Sequence, residues 1–400
     1  MWKEIEAAPA DAILGLTEAF KKDANPEKVN LGVGVYKDDQ GATPILSCIK
    51  KAERRLVEEQ STKGYLPIPG DAAYGASVQT LLFGKQSEVI QSKRAATIHS
   101  PGGTGGLRVG ADLIKQFKPE SKIWVSTPTW ANHKGIFTAA GFEIEEYPYY
   151  DKVTQGVDFD AMLEALKQVP AGDVVLLHVC CHNPTGVDLS AEQWDQVVEI
   201  AVAQGWLPFL DFAYQGFGDT MEEDRAAVEK FAAVGVDFLV ASSFSKNFAL
   251  YNERTGALTI VSPSAEESVV AMSHVKKIIR VNYSNPPAHG GLAARTVLTD
   301  EILYGEWIEE VAGMRERIKT MRAAFVDGLR QRGVEQDFSF IVDQRGMFSF
   351  SGLSNEAVAW LQAERSIYIV KGGRINVAGL TTGNIDYVCD AIAEALNTKV

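Results

Sequence analysis

Between about residues 95 and 262, short apolar runs alternate with amphipathic stretches of helical period, the pattern that stacked βαβ units write into a sequence. The runs Lys122–Ser126, Val174–Val179, Leu207–Asp211, Asp237–Ser242 and Gly256–Val261 predict strands. The stretch Ala191–Gln204, carrying Trp194, Val197, Val198 and Ile200, predicts a helix that covers them. Such strands are expected to form a largely parallel sheet, buried on both faces.

After Ser264 the helical period dominates to about Arg332, interrupted at Asn285-Pro286-Pro287, and its long last segment is a candidate link between two domains. The pattern then changes. Phe338–Val342, Gly346–Phe350 and Ile367–Ile369 predict short strands, Gly372-Gly373 a turn, and Thr382–Leu396 a closing helix. A smaller α+β domain at the carboxyl end follows, joined by the amino-terminal segment. No internal repeat or low-complexity tract interrupts this plan.

A chain of 400 residues has room for a large core and for two domains. Its formal charge of -13 argues against nucleic acid as the main partner, and the pairs Lys50-Lys51 and Lys276-Lys277 read as solvated helix faces. Met1-Trp2-Lys3-Glu4-Ile5-Glu6 lacks the pattern of a secretory leader, and no apolar run is long enough for a membrane span. Cys48, Cys180, Cys181 and Cys389 lack the spacing of a zinc or redox motif and read as buried thiols in a reducing cytoplasm. Cys180-Cys181-His182 does not make a metal site, because adjacent side chains on a strand point to opposite faces. No metal is expected.

The chemistry collects where the predicted strands end: Trp130, Asn183, Asp211, Tyr214 and the run Ser243-Phe244-Ser245-Lys246. Ligands of open parallel sheets bind at that edge. A lysine at the end of the apolar run Phe238-Leu239-Val240-Ala241 can be kept partly neutral, as Schiff-base chemistry requires, and Ser243 with Arg254 could hold a phosphate. Together these suggest pyridoxal phosphate. Asp211 closes the run Trp206–Leu210, where a carboxylate needs water or a cationic partner such as a protonated pyridine nitrogen; a helix cap or surface loop is the plainer reading. Tyr214 and Asn183 could donate to a ring oxygen, although each taken alone reads more plainly as a packing residue and an ordinary Asn-Pro-Thr-Gly turn. Pro101-Gly102-Gly103-Thr104-Gly105-Gly106 runs into an amphipathic helix and offers backbone N–H groups to a phosphate. Arg108 stands where the dinucleotide fingerprint needs its third glycine. Trp130 could stack on a flat ring or belong to the core, and Arg280 and Arg374 are candidate carboxylate forks. Ser243-x-x-Lys246 also matches the S-x-x-K of serine-acylating enzymes, but the companion S-D-N and K-T-G are absent. Thr127-Pro128 and Asn183-Pro184 are the positions to inspect for cis bonds.

These segments, with Asn30–Tyr36 and Tyr283-Ser284-Asn285-Pro286-Pro287, occur in the order found in class I aminotransferases of the fold-type-I pyridoxal-phosphate enzymes, which the chain resembles over nearly its whole length. The resemblance is strongest to the aspartate branch. It implies an α/β fold with a large domain over residues 44–313, built on a mostly parallel seven-stranded sheet, and a small α+β domain over 1–43 and 314–400 with an amino-terminal arm. It implies an internal aldimine on Lys246, which also shuttles the proton between the substrate and the cofactor, while Asp211 pairs with the pyridinium nitrogen. Tyr214 and Asn183 would bind the phenolate oxygen, and Trp130 would lie on the ring. The phosphate would be held by Gly103, Thr104, Ser243, Ser245 and Arg254, with Tyr65 reaching across from a second subunit. Arg374 and Gly34 would take the substrate α-carboxylate, and Arg280 of the second subunit the distal one, so a homodimer is expected. The implied reaction is ping-pong transamination between aspartate or glutamate and 2-oxoglutarate or oxaloacetate. Val35, Lys37, Thr43, Thr104 and Asn285 resemble the aspartate-selective branch. Gly64 and Phe244 depart from it, which leaves aromatic amino acids as alternative substrates.

Overall fold

The computed structural model describes residues 5–6 and 12–397. Most of the amino-terminal stretch read above for a leader, and the start of the expected arm, lie outside these residues. The chain gathers into two compact units, one formed by Pro44–Asn183 and Val187–Glu316, the other by Met1–Thr43, Pro184–Gly186 and Arg317–Val400.

The larger unit is built on a seven-stranded sheet in the order Ala95–Pro101, Thr255–Val261, Phe238–Ser243, Leu207–Phe212, Val174–His178, Ile123–Thr127 and Ile144–Pro148. Thr255–Val261 runs antiparallel to both of its neighbours, and the other pairings are parallel. Every residue of Phe238–Ser243 and Thr255–Val261 is buried, as helices on both faces of a sheet require. The outer strands Ala95–Pro101 and Ile144–Pro148 lie outside the predicted set; the latter exposes Glu146 and alternates too little apolar surface to stand out.

Glycine sets the closeness of one covering helix. Gly102–Phe117 presents Gly103, Gly106 and Gly110 to the sheet, and a Cβ on Gly110 would lie 2.5 Å from Phe209 Cζ. Leu107, Val109 and Leu113 of that helix then join Ile98, Val125, Phe137, Phe209, Leu239, Leu258 and Ile279 in one apolar core. Ser190 and Gln193 form a reciprocal capping box at the start of Ala191–Gln204, and Gly205 closes it in the left-handed region. This helix matches the sequence expectation residue for residue.

The smaller unit holds two short sheets, Val29–Asn30 parallel to Ile367–Tyr368 and Phe348–Phe350 antiparallel to Arg374–Asn376. The expected strand at Phe338–Val342 is instead a turn and the short helix Phe340–Asp343. The Asp337 carboxylate accepts from the Ser339 N–H at 2.8 Å and from its hydroxyl at 3.0 Å, which bends the backbone and leaves Phe338 and Ile341, three apart, as the buried pair. Between residues 264 and 332 the helices are Ala265–Asn282, Ala288–Thr299 and Glu301–Gln331, separated by the two prolines and by Asp300, which accepts from the Leu303 N–H at 2.9 Å.

Candidate active site

Asp211 lies near the carboxyl end of Leu207–Phe212, 8% exposed, in register with His178 on one neighbouring strand and Ala241 on the other. Its Oδ2 is 2.9 Å from His133 Nε2, and His133 Nδ1 is 2.8 Å from the Thr129 hydroxyl. With Nε2 donating to the carboxylate, Nδ1 accepts from Thr129, so the ring is held at both ends. Burial by itself pushes the Asp211 carboxyl up, but the His133 hydrogen bond, with smaller electrostatic contributions from His133, His178 and Lys246, outweighs it and holds the group below its ordinary value. The carboxylate is therefore kept ionised in an apolar setting.

Further histidines line the same strand ends. The His178 ring is 5.1 Å from that of His133 and 4.4 Å from that of His182, and its two enclosed nitrogens have no hydrogen-bond partner among the described residues. Burial drives His178 down to about 3, so it is neutral near pH 7. His182 Nε2 lies 2.9 Å from the Ser126 hydroxyl, and Tyr149 stacks on its ring at 3.9 Å. Donor atoms of His133, His178 and Asp211 all fall within 4.8 Å of one another, a grouping with the composition of a cation site. Since His133 already uses one nitrogen on Asp211 and the other on Thr129, the cluster is better read as a support for the carboxylate.

Lys246 follows the strand Phe238–Ser243 by three residues, on a turn closed by the Ala249 N–H to its own carbonyl at 3.0 Å. Trp307 anchors this turn, donating from Nε1 to the Asn247 carbonyl at 2.7 Å and stacking on Phe248 at 4.4 Å. The Lys246 amine lies 4.5 Å from the centroid of the buried Tyr214 ring. Burial lowers its pKa to about 8 against the opposing pull of Asp211, and Arg254 adds to the lowering. A lysine so placed has an appreciable neutral fraction near physiological pH, which is what a nucleophile or proton acceptor needs.

Beside it stands a cradle with the chemistry of an anion site. The helix Gly102–Phe117 begins without a side-chain cap, and its Gly102 N–H is drawn to the Arg254 carbonyl at 2.9 Å. The N–H groups of Gly103 and Thr104 have no partner within the helix. Gly102 has φ +70, and a Cβ there would lie 2.4 Å from Arg254 Nη2, so the guanidinium occupies the space above the helix start. Arg254 Nη1 donates to the Ser245 hydroxyl at 3.4 Å, and the Ser243 and Ser245 hydroxyls are 3.2 Å apart. Helix start, two hydroxyls and one guanidinium converge.

Of the remaining predicted residues, Asn183 is buried at the head of its turn, and Trp130 caps the helix Ala131–Ala139 with its ring 5.1 Å from His133. The inspected Thr127-Pro128 bond is cis. Tyr65 is 94% exposed, and Arg280 lies exposed at the end of Ala265–Asn282, donating to the Ser284 hydroxyl at 2.6 Å. Phe244, the departure noted in the sequence, packs edge-on against Tyr74 and Phe248 at 5.9 and 5.4 Å. In the smaller unit, Arg374 is 5% exposed, donates to the Gly32 carbonyl at 2.5 Å and lies 4.4 Å from the Phe348 ring centroid. The sequence reading had passed over His133, Thr129, His178 and Phe348. The spacing Trp130-x-x-His133 was a usable signal, since it puts both side chains on one face of a helix turn; the others are marked only by three-dimensional neighbours.

The family model for class I and II aminotransferases matches residues 26–392. The chain is 54% identical over 396 residues to an aspartate aminotransferase of Haemophilus influenzae, covering 99% of this chain and 100% of that protein. It is 50% identical, with the same coverage, to an aspartate aminotransferase of Escherichia coli. A solved aromatic-amino-acid aminotransferase of Burkholderia pseudomallei, covalently bound to pyridoxal phosphate, superposes with a TM-score of 0.97 at 51% identity, covering 99% of each chain. The chain belongs to the class I and II aminotransferases.

Proposed function

We propose that this enzyme moves amino groups between L-aspartate or L-glutamate and 2-oxoglutarate or oxaloacetate, with pyridoxal 5′-phosphate as cofactor. The residues present fit that group: the Gly103–Thr104 helix start with Ser243, Ser245 and Arg254 suits a phosphate, and the His133-supported Asp211 suits a pyridinium nitrogen. When bound, the cofactor supplies an aldehyde that condenses with amines and a ring that accepts electrons from the substrate α-carbon. Asp211 would keep the ring nitrogen protonated, and Tyr214 and Asn183 would donate to the ring's hydroxyl oxygen. Lys246 would hold the aldehyde, and its amine would carry the α-proton. Trp130 would pack against the ring. Arg374 with Gly34 receives the α-carboxylate.

Two copies of the chain complete each site, Tyr65 and Arg280 serving the opposite subunit; an exposed tyrosine and an exposed arginine support this reading. Arg280 takes the distal carboxylate and so favours dicarboxylates, because a substrate without that group leaves a charge unpaired. The reaction is ping-pong, one 2-oxo acid leaving before the other arrives. Among the described residues no helix is long and apolar enough to cross a membrane. The free cysteines, all buried, support placement in the cytoplasm.

The observation that carries the proposal is the Lys246 amine, its pKa lowered to about 8, set between Tyr214 and the phosphate cradle in a chain of this family. Borohydride reduction of the holoenzyme followed by peptide mapping is expected to place a pyridoxyl group on Lys246, and a label elsewhere or none removes the assignment. Comparison of kcat/KM for aspartate, phenylalanine and tyrosine decides between the aspartate reading and the aromatic alternative raised by the Burkholderia pseudomallei enzyme.

A further inference from the structure

Arg322, on the helix Glu301–Gln331, is 1% exposed, so that its charge lies wholly inside the smaller unit. Its guanidinium gathers one short segment of chain. Nη1 donates to the Ile341 carbonyl at 3.0 Å and to the Ser349 hydroxyl, and Nη2 donates to the carbonyls of Gly346 at 2.8 Å and Phe348 at 2.7 Å. Five donors in a rigid fork allow one side chain to hold several acceptors at fixed angles, which lysine cannot reproduce.

The segment so held includes the strand Phe348–Phe350, which pairs with Arg374–Asn376 in a sheet of two strands and three residues each. A ribbon that short is marginal without outside support. The Phe348 carbonyl is bound by Arg322, and the Phe348 ring centroid lies 4.4 Å from the Arg374 guanidinium. The same ring closes on Gly34, where a Cβ would stand 2.5 Å from Phe348 Cζ. Gly186, with φ +73, completes the packing: a Cβ there would meet the Phe348 carbonyl at 2.5 Å, and its own carbonyl accepts from the Arg345 N–H at 2.7 Å. One aromatic ring thus touches both residues assigned to the substrate α-carboxylate, and one buried arginine determines where that ring stands.

We propose that Arg322 is a positioning residue for Arg374, acting through Phe348; this rests on the reading that Arg374 receives the substrate α-carboxylate. The ring and the Gly32 carbonyl hold the Arg374 fork in place before substrate arrives, which reduces the ordering each carboxylate must impose on binding. Loss of the support therefore weakens binding more than it slows the chemistry.

The test uses the holoenzyme with Phe348→Leu, Arg322→Lys and Arg374→Gln. Phe348→Leu leaves Arg322 and its acceptors in place, so it carries the test even where Arg322→Lys does not fold. Single-turnover kinetics with aspartate separates the dissociation constant from the rate, and binding of the unreactive dicarboxylate succinate is followed by cofactor absorbance. 3-Aminopropanoate, which is aspartate without its α-carboxylate, is the control. Phe348→Leu and Arg322→Lys are expected to raise Kd for aspartate and succinate roughly tenfold, the order for loss of one desolvated cation–π contact, with the aspartate rate and 3-aminopropanoate binding nearly unchanged. If Arg374→Gln weakens the dicarboxylates while the other two variants do not, the positioning role falls and the carboxylate reading stands. Equal weakening of aspartate and 3-aminopropanoate also overturns the positioning role. If Arg374→Gln itself leaves aspartate and succinate unaffected, the carboxylate reading falls and takes the inference with it.

Discussion

His133→Leu removes the one hydrogen bond given to the buried carboxylate of Asp211 among the described residues, at 2.9 Å, while placing an apolar side chain of similar bulk in a fully buried position. A hydrogen bond to a charged group contributes roughly 1.5–3 kcal/mol, which is roughly ten- to a hundredfold in the protonation equilibrium of that group. In the parent, burial raises the Asp211 carboxyl and the His133 bond is the leading influence that brings it back below its ordinary value. Without that bond burial dominates, and Asp211 protonates at mildly acid pH. A neutral Asp211 no longer holds the cofactor nitrogen protonated. The expected signature is a deficit in kcat/KM for aspartate that is small near pH 9 and grows as pH falls toward 5.5, reaching the order of ten- to a hundredfold. Asp211→Asn, which lacks the charge throughout, should be severely impaired at every pH. Thr129→Val, which frees only the far end of the imidazole, should show the His133→Leu pattern in weaker form. A parent-to-variant ratio that stays flat with pH, or grows toward alkaline pH, refutes the reasoning.

Gly102→Ala should weaken pyridoxal phosphate retention about tenfold or more, because the new Cβ displaces Arg254 and the left-handed backbone is strained; equilibrium dialysis against the cofactor checks this, with an unchanged far-UV spectrum as control. Gly110→Ala should destabilise the fold by about 1–3 kcal/mol through collision with Phe209, outweighing about 1 kcal/mol of helix propensity, and the urea midpoint reports it. Burial holds His99 down to about 4 against 6.5 in the unfolded chain, so the unfolded state binds more protons between those values. Stability from this site is complete above about pH 6.5 and falls by at most roughly 3 kcal/mol as pH drops toward 4. His99→Gln should reduce that acid sensitivity, and an unaltered slope of urea stability against pH would count against it.

The strand Leu207–Phe212 and the helix Ala191–Gln204 were legible because apolar runs and caps are local signals that tertiary contacts here reinforce. Phe338–Val342 departs from expectation for the opposite reason: four apolar residues in five predict an extended run, but the Asp337 side chain bends the backbone at once. The antiparallel direction of Thr255–Val261 was equally invisible, since a buried strand carries the same apolar run whichever way it points.

By itself the sequence determined the layered α/β plan and the edge of the sheet at which polar residues collect, and it put forward Lys246, Asp211, Arg254 and Arg374 as candidates. Those follow from residue type and order along the chain. Tertiary structure decided what surrounds them: that His133 supports Asp211, that Arg254 stands over the start of the Gly102–Phe117 helix, and that Phe348 links Arg322 to Arg374. The partners in these contacts are separated by 78 residues for His133 and Asp211 and by 26 for Arg322 and Phe348. Periodicity and propensity extend over only a few turns or strands, so a side chain whose role depends on a distant neighbour leaves no mark on the residues beside it.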